Sequence, residues 1–198
     1  MSAMQPQIKL LLVETLRDPQ GAARRLIALN PPMEARVIGL LLVAVVTVLI
    51  ARLSLVISPA EELAAFLDLL SDPFLGVPLQ AAMMMGFALA MTLGGRVGGG
   101  TGHYVDALLL VVWMEFVLTI MQVVQMVAFL VFPPLGFLAA FVSVGLFFVL
   151  LTNFAAALHG FTNLVKVLFG MLASLFALSL ALALILAIFG FTPPTLAV

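Results

Sequence analysis

The chain reads as an all-α integral membrane protein with five transmembrane helices, its N terminus inside and its C terminus outside. Three observations predict this. Of 198 residues, 65% are hydrophobic and only 9% are charged, whereas soluble domains carry about 25% charge. The apolar residues gather into five continuous runs, each close to the roughly 20 residues a helix needs to cross the hydrocarbon core. The basic residues concentrate in the segments that a five-span topology places on one side. Continuous runs, instead of alternating ten-residue segments, argue against a β-barrel.

Each element can be justified in order. Residues 1–36 form a cytoplasmic amphipathic segment of two short helices on the membrane surface. Asp18-Pro19 reads as an N-cap followed by proline at the first helical position, and Asn30-Pro31-Pro32 ends the second helix. Its Arg24-Arg25 pair faces away from Leu26 and Ile27, as in a positive-inside anchor or a surface that meets anionic lipid. Lys9 precedes only the short apolar run 10–13 before Glu14, and no small-residue cleavage site follows. Insertion is therefore expected through the first span instead of a signal peptide.

The membrane domain, 37–190, holds spans at 37–57, 74–93, 107–132, 135–158 and 164–189. Arg52, near one end of the first, can reach the interface with its long side chain. Ser58-Pro59-Ala60-Glu61 resembles a capping box, and Leu63, Phe66, Leu67 and Leu70 follow at helical spacing. A short interfacial helix is expected there, on the outer face. Six glycines within 94–102 are expensive in a helix and predict a flexible linker between spans two and three. Pro133-Pro134 removes two donors and forces a turn, so spans three and four should form an antiparallel hairpin. Gly160 and Asn163 mark the next turn, and residues 191–198 form a short outer tail. Seven of the eight basic residues then fall on one side, with Arg52 alone opposite. That side is the cytoplasmic face of the inner membrane.

The net charge of −1 and the absence of cysteine argue against a nucleic-acid partner, disulfides, thiol catalysis and thiolate metal sites. The glycine-rich segment lacks the Gly-Lys-Ser/Thr ending of a phosphate loop and follows no strand, so no nucleotide is expected. No nucleophile–base arrangement, His-rich zinc motif or cofactor signature is visible, and the expectation is a protein that is not an enzyme and holds no metal.

The residues that invite a role are polar groups at membrane depth. Glu115 lies inside span three, where a carboxylate costs roughly 2.5–3.5 kcal/mol and should turn into the bundle. Thr119, Gln122 and Gln125 continue its face, and Thr152 and Asn153 on span four lie at a similar depth. A contact from Glu115 to Thr152 or Asn153 is expected. This stripe serves interhelical hydrogen bonding, serves a proton or ion path, or faces another subunit. Arg96, His103, His159 and Lys166 fall at the cytoplasmic edge, the two histidines as hydrogen-bonding groups. Gly86, Ala90 and Gly94 make a small-residue series suited to close helix packing. Met83–Met85 reads as packing.

Two segments carry a resemblance. Gly94-Gly95-Arg96 through Gly102-His103-Tyr104-Val105-Asp106, and Leu158-His159-Gly160-Phe161-Thr162-Asn163-Leu164, together with five spans, resemble bacterial members of the Yip family, the Ypt/Rab-interacting-protein-like membrane proteins. The resemblance covers residues 20–190. It implies a non-enzymatic integral membrane protein. Eukaryotic members act in vesicle trafficking and membrane shaping and some contact prenylated Rab GTPases, but their aromatic, Gly-Tyr-type motifs are not present here. The sequence thus points to an accessory, assembly or organising subunit whose partners are membrane lipids and other membrane-protein subunits. The alternative is a small oligomeric transporter or channel that uses Glu115.

Overall fold

The computed structural model describes residues 4–57 and 72–188, all in helices or the short turns between them. Seven helices follow one another among these residues: α1 (Met4–Arg17), α2 (Pro19–Leu29), α3 (Met33–Ile57), α4 (Pro73–Val97), α5 (Tyr104–Val131), α6 (Pro133–His159) and α7 (Leu164–Ile188). The last five are long and apolar enough to cross a membrane. The protein is membrane-embedded and all-α. The interfacial helix expected after Ser58 and the tail 191–198 lie outside the described residues.

The first junction forms as the sequence dictates. Asp18 Oδ1 accepts from the Gly21 N–H at 2.9 Å, satisfying one of the four free donors at the start of α2. Asn30 closes α2 in the left-handed region, with φ 40°, a conformation that asparagine tolerates better than most residues. Helix α2 is more than a surface element. Ala22, Ala23 and Leu26 are buried where it packs on α6 and, less extensively, on α5. Arg24 and Arg25 face outward.

Helix α5 is the axis of the bundle. It packs against α3, α4 and α6, and its Leu108, Leu110, Val111 and Met114 are almost fully buried. Opposite them lie Leu150, Leu151, Phe154 and Ala155 of α6. Phe132 alone separates α5 from α6. It is extended, at φ −156° and ψ 107°, because Pro133 and Pro134 occupy the first helical positions of α6 and disfavour a helical residue before them. The turn is tight enough that a Cβ on Gly136 would meet Phe129 at 2.7 Å. Helix α7 covers α4 and α6 from outside.

One boundary departs from expectation. The glycine-rich segment does not break the helix at residue 93. Helix α4 continues through Gly94, Gly95 and Arg96 to Val97. Glycine's entropic cost is outweighed by what it allows, namely close approach of neighbours. A Cβ at Gly94 would lie 1.9 Å from Ser174 Oγ, and one at Gly95 would lie 2.1 Å from His159 Nε2. Only Gly99, at φ +87°, uses glycine's backbone freedom within the following turn. The other spans begin or end a few residues from the positions expected, and Phe189 lies outside the described residues.

Candidate functional site

Helix α5 carries a column of polar side chains through the bundle. Glu115 comes first. Its Oε1 accepts from Gln80 Nε2 of α4 at 2.8 Å. The expected contact with α6 is not what forms. Asn153 instead accepts from Gln20 of α2 at 3.2 Å and donates to the Val149 carbonyl of its own helix, while Thr152 is buried. The reason is rotational. The α6 face that meets α5 is filled by Leu150, Leu151 and Phe154, which turns Asn153 toward α2.

Four residues further along, Thr119 donates to the Glu115 carbonyl at 2.8 Å. That uses its only proton, so the 2.8 Å bond to Thr47 of α3 has Thr47 as donor. Glu115 and Thr119 thereby tie α5 to α4 and α3 respectively.

Beyond Thr119 the column opens. Ser54, Gln122, Gln125 and Met126, with the edge-to-face pair Phe129 and Phe137, line a cavity of about 410 Å³ among α3, α5 and α6. Ser54 donates to the Ile50 carbonyl at 2.9 Å. Gln122 and Gln125 form no hydrogen bond among the described residues. Unsatisfied amides at membrane depth are tolerated where they line a water-filled cavity.

The opposite end of the bundle is closed by two polar knots. In the first, Arg36 is 3% exposed. Its Nε donates to the Pro31 carbonyl at 2.9 Å. One terminal nitrogen donates to the Val105 carbonyl and to Asp106 Oδ1 at 3.1 Å. The other donates to Asn30 Oδ1 at 3.1 Å. The guanidinium fork thus holds the α2–α3 turn to the start of α5. In the second knot, the buried ring of His159 accepts at Nδ1 from the Gly102 N–H at 3.0 Å. Its Nε2 faces the Met91 carbonyl at 3.1 Å. An acceptor Nδ1 and a donor Nε2 assign the neutral Nε2–H tautomer. Phe161 stacks on the ring at 5.5 Å. Added Cβ atoms on Gly95, Gly100 and Gly102 would each come within 2.7 Å of it. The glycines are a cradle for an imidazole, and no flexible linker.

The remaining sequence-selected residues fall around these knots. Arg96 Nε donates to the Gly102 carbonyl at 3.2 Å. His103 is exposed at the start of α5 and makes no side-chain cap bond. The Lys166 N–H is capped by Asn163 Oδ1 at 3.1 Å. Of the small-residue series, Gly94 does pack on Ser174, Ala90 is buried, and Gly86 has nothing within 4 Å of an added Cβ.

Sequence reasoning missed Gln80, Thr47 and the structural role of Arg36. It also missed Trp113, whose Nε1 donates to Thr15 of α1 at 2.9 Å. Gln80 carried a usable signal as a carboxamide inside an otherwise apolar run. Among the described residues no group of three or more His, Cys, Asp or Glu could hold a metal. No known family, no curated protein and no solved structure matches the chain.

Proposed function

We propose that this chain is a non-enzymatic protein of the inner membrane that serves as an accessory, assembly or organising subunit of a larger membrane complex. Its N terminus is cytoplasmic and its C terminus outside. The single observation that carries this reading is the use made of the buried polar groups. Glu115, Arg36 and His159 are each engaged in bonds that join one helix or turn to another. Much of what is left for other molecules is apolar. Leu42 and Leu49 of α3, Phe141 and Val144 of α6, and Phe169 and Phe176 of α7 all point outward, toward lipid and neighbouring subunits. Arg36, Arg96 and Lys166 gather at the end that carries α2 and the glycine cradle, in keeping with a cytoplasmic face. The resemblance to bacterial Yip-family proteins supports the same reading, with no nucleotide or nucleic acid in the role.

A second reading, a small oligomeric transporter or channel, is favoured by one observation. The α5 column runs from Glu115 to Gln122 and Gln125, which have no hydrogen-bond partner among the described residues, at an open cavity, as a polar path would.

Extraction in a gentle detergent, native sizing and mass spectrometry of what travels with the chain separates the two. The accessory reading expects a stoichiometric membrane-protein partner. A clean homo-oligomer that loses a flux in vesicles on Glu115→Gln, while still folding, would overturn it in favour of the transporter.

A further inference from the structure

Helices α4 and α7 run antiparallel and leave a groove of about 520 Å³ between them. Leu89, Leu93 and Val97 line it on one side, and Ala173, Ala177 and Leu178 on the other. Gly94, Gly98 and Gly170 are shared with a second hollow of about 300 Å³, which continues the groove toward the α6–α7 turn. The character of the lining changes there. Thr162, Asn163 and Lys166 enter it, and among the described residues the Lys166 ammonium has no partner. No acidic side chain lines either part. From Gly170 to Leu178 the slot is about 12 Å long at 1.5 Å per residue, close to the half-thickness of a hydrocarbon core about 30 Å across.

We propose that this groove holds one acyl chain of an anionic phospholipid, with the phosphate at Lys166. The slot is apolar along one leaflet and cationic only at its mouth, which is the profile of a lipid standing in that leaflet. A zwitterionic lipid would fit the slot but gain little from a lone cation. A second copy of this chain would bring its own apolar helix to the slot and leave Lys166 unanswered. Thr162 and the side-chain donors of Asn163 add hydrogen bonds to the headgroup oxygens. The site is independent of whether the chain serves a complex or a flux.

The test uses the full chain in nanodiscs of mixed phosphatidylcholine and phosphatidylglycerol, with the lipids retained on transfer to detergent counted by native mass spectrometry. The expected result is retention of phosphatidylglycerol over phosphatidylcholine. Lys166→Gln should lower that preference about fivefold, the effect of one cation near an anionic lipid. Ala177→Phe, at an exposed position, should fill the slot and lower retention of both lipids. Arg17→Gln, an exposed cation at the end of α1, should leave the preference unchanged. Lys166→Gln is on the surface and should melt as wild type does, so its result stands even if Ala177→Phe folds poorly. Equal retention of the two lipids by wild type, or a preference untouched by Lys166→Gln, would overturn the proposal. So would a disulfide-linked dimer formed by Ala177→Cys in this cysteine-free chain, which would give the groove to a second copy.

Discussion

The two ends of the bundle handle buried polar groups in opposite ways. At the end that carries α2, Arg36 reaches four acceptors on two segments, and His159 is bonded at both ring nitrogens. At the other end Gln122 and Gln125 face an open cavity with no protein partner among the described residues. A low-dielectric interior makes a satisfied network specific and an unsatisfied one costly. One end of this protein is therefore a fixed joint, and the other keeps hydrogen-bonding capacity in reserve.

Substitutions can break or sharpen that contrast. The largest effect is expected from Arg36→Ala, which leaves Asp106 and three other acceptors without their donor. Removing one partner of a fully buried pair costs about 3–5 kcal/mol; Asp106 is 23% exposed, so the loss should lie near the lower end of that range, and thermal unfolding in detergent should show it as a large fall in midpoint. Next is Gly95→Ala. The added methyl meets an imidazole that is bonded on both sides and cannot swing away, a clash worth roughly 1–3 kcal/mol. Gly86→Ala on the same helix meets open space and should be neutral or stabilising by up to about 1 kcal/mol. If both glycine variants melt alike, the cradle is not rigid.

Smaller again is Thr119→Val, which removes the bond to Thr47 and should cost about 0.6 kcal/mol, the average for such bonds between membrane helices. Smallest is Gln122→Leu. It removes no hydrogen bond to the described protein, and its midpoint should stay within about 0.5 kcal/mol of wild type. A fall as large as that of Arg36→Ala would show that the cavity groups are part of the joint, and would erase the contrast.

What could be read from the sequence follows the range of the forces involved. Five spans were legible because hydrophobic length is a property of each run by itself. Asp18-Pro19 and Pro133-Pro134 were legible because capping and turn chemistry act over a few residues. The role of Gly94 and Gly95 was not, since their purpose depends on Ser174 and His159, which lie about 80 and 64 positions away in the chain and meet them only after the helices pack. The α5 stripe is legible as polar, but the helix that partners Glu115 is not. Short connection made α6 the obvious neighbour of Glu115, yet adjacency does not set rotation. The side chain faces α4, where Gln80 waits. Arg36 looked like one more surface cation because counting charges by loop says nothing of the carbonyls that converge on it.

The one-residue link at Phe132 has a consequence for how the chain is made. With one residue between them, α5 and α6 are not expected to thread across a bilayer as separate events with a pause between. A first helix parked in the membrane would have no slack from which the second could start. The pair is expected to cross as a single hairpin, delivering the axis of the bundle and the helix it packs on most extensively together.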